Sequence, residues 1–268
     1  MKLLKRVITA LIFIPILLFI AYSEIIELSL FFSIIITTGA IYEIYKVFNI
    51  NRIFYYLLTL IIVIAYNYNI FIQGDFNFIY LILFGVFLFI YEIILYNDEK
   101  RRNFKRFLII FFSNFYIISF FSYFLFIKKN LLLGSRWALL FFISVWSIDS
   151  FAYFIGMTLG REKHRGVFKV SSVKSIEGFL AGLFIPSILI IFFRSYFGLT
   201  VIEAFSFMFI FSIIVQFGDL SQSLIKRYAN VKDTGSILLG HGGIFDRFDS
   251  MIFSVPIYYF LIKLFYYI

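Results

Sequence analysis

Nine apolar stretches, each 16 to 21 residues long, account for most of this chain: 7–22, 25–45, 54–72, 77–96, 107–127, 137–157, 178–197, 201–220 and 251–268. A helix needs about 20 mainly apolar residues to cross the hydrocarbon core of a bilayer. The stretches are therefore read as membrane spans. The composition agrees: 62% of the 268 residues are hydrophobic and 15% are charged, against about 25% charged in a soluble domain. The sequence thus predicts an all-α, polytopic integral membrane protein with about nine transmembrane helices. The first stretch is short, follows Lys2, Lys5 and Arg6, and ends at Ala21-Tyr22-Ser23, a pattern shared with cleaved signal peptides. It is read here as an uncleaved first span.

The positive charges set the orientation. Of the 24 Lys and Arg, 19 fall at the N-terminus and in the loops after spans two, four, six and eight. Cytoplasmic loops carry such an excess, so the N-terminus and every even-numbered loop are expected in the cytoplasm. The two longest polar segments, 158–177 and 221–250, then face that compartment, and the protein is expected in the cell membrane with its site facing the cytoplasm. Lys128, Lys129 and Arg136 fall on the opposite side and fit this arrangement poorly. The net charge of +9 is dispersed among short loops in this way, which argues against a nucleic-acid partner. The sequence divides into N-terminal transmembrane helices, 1–130, and C-terminal helices, 131–268, that hold most of the remaining polar chemistry. No internal repeat of the kind found in inverted-repeat transporters stands out.

The chain has no cysteine and only two histidines, His164 and His241. Disulfides, Cys-ligated metals and multi-histidine sites are excluded, and any metal is a hard cation on carboxylates, which favours magnesium. The polar residues gather in "KDTGSILLGHGGIFDRFDS", Lys232 to Ser250. Asp246 and Asp249 are three apart; at the start of the ninth helix they would share a face and grip one divalent cation. Asp219, at the end of span eight, is the third expected metal ligand. Gly242 and Gly243 leave backbone N–H groups open to an anion ahead of a helix N-terminus. Ser223, Lys226, Arg227, Lys232 and Arg247 supply a hydroxyl and cations for phosphates. Carboxylates beside cations and glycines describe a phosphoryl-transfer site. Singly, each residue also has a plain reading as a solvated loop, a helix-end charge or a positive-inside anchor. His241 can donate to a phosphate, shuttle a proton or cap the loop. Asp149, in the sixth span, either contacts substrate or pairs with Lys174 or Arg161. Glu43 and Glu92 are read as structural, and Gly156, Gly160, Gly178 and Gly182 as helix-packing positions.

The segment "SLIKRYANVKDTGSILLGHGGIFDRFD", Ser223 to Asp249, resembles the signature of the phosphatidate cytidylyltransferases, the CDP-diacylglycerol synthases. One fixed position departs from it: Leu239 stands where Pro or Gly is usual. "DSFAYFIGMTLGR" (Asp149 to Arg161) and "KVSSVKSIEG" (Lys169 to Gly178) are similar to two further segments of that family, with Ser172 in place of Pro and Ser175 in place of Thr. The resemblance is strong over about 145–258. It implies CTP and phosphatidic acid as substrates and CDP-diacylglycerol and pyrophosphate as products. Asp219, Lys226, Lys232, His241, Asp246, Arg247 and Asp249 would be catalytic. Asp149, Lys174, Ser223, Arg227, Gly242 and Gly243 would bind substrate, and magnesium would sit on Asp219, Asp246 and Asp249. A second, monovalent cation and a homodimer are left open. The rival readings are a CTP-dependent lipid or polyprenol kinase, an ion-coupled transporter using Asp149 and Asp219, and an inactive membrane scaffold.

Overall fold

A computed structural model describes residues 2–95, 100–161, 164–166, 170–171, 174–235 and 242–266. Its helices are α1 (Lys2–Tyr22), α2 (Ile26–Val47), α3 (Ile53–Gln73), α4 (Ile79–Ile94), α5 (Lys100–Asn130), α6 (Gly134–Thr158), α7 (Ile176–Phe193), α8 (Val201–Tyr228), α9 (Ile244–Arg247) and α10 (Asp249–Tyr266). Among the described residues there is no sheet; a lone bridge pairs Arg165 with Ser175. Every long helix falls on one of the nine apolar stretches. Six of them, α2, α3, α5, α6, α7 with its 3-10 extension to Phe197, and α8, are long and apolar enough to cross a membrane, and the apolar segments Leu11–Tyr22 and Ile79–Ile94 are shorter. The protein is all-α and polytopic.

Two boundaries differ from the sequence reading in ways that move site residues. Helix α8 continues to Tyr228, about two turns beyond the expected end at 220, because Leu220 and Gln222 stay buried and keep it docked. Ser223, Lys226 and Arg227 therefore ride on a helix. The second difference corrects the expectation that Asp246 and Asp249 share one face at the start of the ninth span. Asp246 lies in the four-residue α9, and Asp249 opens α10. Phe248 between them is buried and lies at the bend that parts the two helices.

The chain forms two compact units, Met1–Ser135 with Asp233–Arg247, and Arg136–Lys232 with Phe248–Ile268. The break near 135 lies close to the sequence division at 130, but the segment 233–247 joins the first unit.

In the first unit, α2 packs on α3, α5 and α9. Lipid offers helices no hydrophobic drive to associate, so interhelical hydrogen bonds and close packing matter more there. Ser33 (α2) and Ser122 (α5) both donate to Asn67 Oδ1 (α3), at 2.7 and 3.2 Å. Tyr45 (α2) bonds Thr59 (α3) at 2.7 Å and accepts from Asn114 (α5). Glu92 on α4 accepts from Tyr55 and from Arg106 Nε at 2.9 Å, tying α3 and α5 to it, which is the structural role expected of it.

Two of the three misfit cations, Lys128 and Lys129, are accounted for here. Lys128 donates to the carbonyls of Ile20, Ala21 and Ser23 at the end of α1, and Lys129 to that of Phe71 near the end of α3. A cation at a helix C-terminus satisfies orphan carbonyls and the negative end of the dipole. The C-terminal ends of α1, α3 and α5 thus meet at one side of this unit, as alternating spans require.

In the second unit, α8 packs on α7 and α10 around Phe141, Phe207, Phe211 and Tyr258, all fully buried. Tyr258 donates to the Trp137 carbonyl at 2.9 Å. Helix α8 starts at a reciprocal capping box: Thr200 Oγ1 accepts from Glu203 N and Glu203 Oε2 accepts from Thr200 N. Helix α7 starts at Ser175, whose hydroxyl accepts from Gly178 N at 3.2 Å.

Candidate active site

The second unit builds a charged cavity of about 470 Å³. Its shape follows from small residues. A Cβ on Gly178 would lie 2.5 Å from the Ala152 carbonyl and 3.0 Å from Gly156 Cα, and one on Gly182 would meet Ala152 and Ile148 at 3.1 Å. Helices α6 and α7 therefore cross at nearly backbone-to-backbone distance, which is the packing role expected of these glycines. The loop before α7 folds back on itself: Gly166 (φ 68°) donates to the Lys174 carbonyl, and Arg165 bridges to Ser175. This turn carries the Lys174 ammonium to the cavity, where it pairs with Asp219 of α8. Asp149, from α6, lines the same cavity and is open to it, with protein packed around the rest of its side chain. Arg165 and Gln216 complete the polar wall. The sequence offered Lys174 or Arg161 as a partner for Asp149; the direct ion pair of Lys174 is with Asp219, and Lys174 reaches Asp149 only as a nearby charge.

One residue before Asp219, Gly218 lets α10 come close: a Cβ there would lie 3.1 Å from Ser250 Cα and O. That approach sets Asp249 beside Asp219. Asp249 Oδ1 accepts from Ser250 N at 2.7 Å, its carbonyl accepts from Gln222 Nε2 at 3.3 Å, and its Oδ2 lies 4.0 Å from Lys226 Nζ. Asp149, Asp219 and Asp249 are near enough to repel one another. Three carboxylates thus stand with two ammonium groups, Lys174 and Lys226, contributed by α6, the loop before α7, α8 and α10. Ser223 is half-buried on α8, while Arg227 and Lys232 are exposed.

The first unit holds the rest of the signature. Gly242 has φ +83°, which only glycine adopts without strain, and the turn it makes delivers Gly243 N to Asp246 Oδ2 at 3.0 Å. The same oxygen accepts from Thr234 N at 2.9 Å. Arg247 is exposed. Beneath this turn lies Glu43 of α2, 1% exposed. Its Oε1 accepts from Ile244 N at 2.9 Å, and its Oε2 accepts from Phe245 N at 2.9 Å and Thr234 Oγ1 at 3.2 Å. A Cβ on Gly235 or Gly243 would strike this carboxylate. Glu43 is structural, as expected, but the sequence reading missed what it holds. Its signal was the presence of a carboxylate in an apolar span, which demands a partner; nothing local named a partner 201 residues away.

His241 and Leu239, like Ser172 and Lys169, lie outside the described residues. Among the described residues no three His, Asp or Glu side chains converge tightly enough to hold a metal ion by themselves. Magnesium is commonly held through one or two carboxylates plus substrate phosphates. The Asp219 and Asp249 pair fits that chemistry, whereas Asp246 Oδ2 accepts two backbone N–H groups.

Fold and cavity together define a polytopic helical membrane protein with clustered carboxylates and ammonium groups among its helices. The chain belongs to the cytidylyltransferase family, whose model matches residues 4–265. It is 40% identical over 157 residues to the phosphatidate cytidylyltransferase of Bacillus subtilis (strain 168), covering 56% of each chain. It is 42% identical over 127 residues to that of Staphylococcus haemolyticus (strain JCSC1435) and 41% identical over 127 residues to that of Staphylococcus aureus (strain COL), in each case 46% of this chain and 48% of the relative. The chain thus spans about half the length of the curated relatives it matches.

Proposed function

We propose that this protein is a phosphatidate cytidylyltransferase: it transfers CMP from CTP to phosphatidic acid, giving CDP-diacylglycerol and pyrophosphate. The observation that carries the reading is the convergence of Asp149, Asp219 and Asp249 with Lys174 and Lys226 in one unit, within a chain of this family. A phosphate oxygen of phosphatidate attacks the α-phosphorus of CTP in line. The new P–O bond forms as the bond to the β-phosphate oxygen breaks, and pyrophosphate carries away the electron pair. The nucleophile is already ionised, so the protein needs no strong base. Positioning and charge neutralisation dominate.

In the second unit Lys226, Arg227 and Lys232 bind phosphate oxygens, and Ser223 orients one of them; Arg247, in the first unit, is assigned to phosphate by its place in the signature alone. Lys174, held by Asp219, is placed to take a phosphate oxygen in exchange. Bound magnesium, held by Asp219 and Asp249, would offset triphosphate charge. Asp246, assigned to the metal in the sequence reading, pins the Gly242–Gly243 turn by accepting from Gly243 N and Thr234 N; the Gly243 N–H, expected to be open to an anion, is thereby taken up within the loop. The charge distribution supports a site facing the cytoplasm, where CTP is dissolved, in the cell membrane, where the lipid resides.

Purified protein, α-labelled CTP, phosphatidate and magnesium provide the test. Label in the lipid extract with stoichiometric pyrophosphate supports the reading. Release of CDP instead would make the protein a CTP-dependent lipid kinase.

A further inference from the structure

The first unit contains a second cavity, of about 510 Å³, that the proposed reaction does not use. It lies along α2 and α3, lined by Thr38, Tyr42 and Lys46 on one side and Leu57 and Leu60 on the other, with Asn51 from the turn at one end. Thr38, Tyr42 and Lys46 are four residues apart and so share one helix face. The cavity is therefore a trough parallel to the helices, and Thr38 to Lys46 spans about 12 Å of helix. Its floor is closed and internally satisfied, since Tyr45 and Thr59 bond each other there. Its outer walls are open, with Leu57 53% and Leu60 38% exposed.

The polarity is graded along the trough. Lys46, in the last turn of α2, sits at the end beside Asn51, and Leu57 and Leu60 line the run away from it. The Lys46 ammonium lies 5.2 Å from the centroid of the Tyr42 ring, a cation–π distance that steadies it at the mouth. In a spanning chain the solvent around α2 and α3 is lipid. A Lys at a helix end reaches the headgroup level while the apolar wall lies in the acyl region.

We propose that this trough binds one anionic phospholipid, with an acyl chain along α2 and α3 and the headgroup phosphate on Lys46. A zwitterionic lipid brings its own ammonium next to the phosphate, which weakens the attraction to Lys46, so the site selects lipids with net negative charge. It is separate from the transfer chemistry and does not depend on that assignment.

The full chain in neutral detergent is titrated with phosphatidylglycerol, and in parallel with phosphatidylcholine, and bound lipids are counted by native mass spectrometry. Phosphatidylglycerol is the probe because the proposed reaction does not consume it. Wild type is expected to retain one phosphatidylglycerol more tightly than Lys46→Gln, by about fivefold, the contribution of one Lys near an anionic headgroup. Leu57→Trp fills the trough and removes that lipid altogether. Both positions are exposed, and a melting curve for each variant controls for folding; Lys46→Gln alone suffices if the Trp variant misfolds. Equal phosphatidylglycerol binding by wild type and Lys46→Gln overturns the proposal. An equal dependence on Lys46 for phosphatidylcholine overturns the anionic selectivity.

Discussion

Replacing Glu43 should loosen the glycine turn without touching any group proposed to meet substrate. Its carboxylate takes three donors, Ile244 N, Phe245 N and Thr234 Oγ1. A Gln at this position keeps one oxygen, which best serves Phe245 and Thr234, and turns its NH2 toward Ile244 N. One buried donor then lacks an acceptor, at a cost of about 1–3 kcal/mol. Ala leaves both backbone N–H groups unpaired, for about 2–6 kcal/mol before any water enters. Since about 1.4 kcal/mol is tenfold, Glu43→Gln should speed hydrogen exchange at the Ile244 amide by about 5- to 150-fold. Exchange along α8 should stay unchanged. Glu43→Ala should exceed Glu43→Gln in this measurement. Unchanged exchange at Ile244 and Phe245 in Glu43→Ala would refute the reasoning, because those amides would then be held by something other than this carboxylate.

Asp219→Asn and Asp249→Asn should each cut CTP turnover by about 100-fold or more, with little change in the melting curve; near-normal turnover at limiting magnesium for either one rejects its role. Gly178→Ala places a methyl 2.5 Å from the Ala152 carbonyl, so α6 and α7 must part. We expect about 1–3 kcal/mol of destabilisation, measured by thermal unfolding in detergent, together with a loss of turnover as the α6–α7 crossing beside Lys174 opens. Lys128→Met leaves the Ala21 and Ser23 carbonyls without the Lys128 donor. It should lower stability by about 1–3 kcal/mol without altering KM for either substrate.

Hydropathy located the helices because the cost of moving each residue into lipid is local and adds along the chain. A window of about 20 residues therefore finds a span whatever it packs against. The signature residues from Ser223 to Asp249 were legible for a related reason: charge in so apolar a chain is expensive, and its clustering is itself a signal. Other features depended on how the helices rotate and cross. Asp149, Asp219 and Asp249 lie on three helices, and they come together because Gly156, Gly178 and Gly218 allow backbones to touch. Glu43 lies under the glycine turn because α2 packs on α9, and Lys128 and Lys129 end on the carbonyls of α1 and α3. Sequence determined the class of protein, where its apolar helices fall and where its polar residues gather. Only the tertiary structure decided which carboxylates meet and which one holds a loop, because packing fixes helix rotation and register, and a hydropathy window averages both away.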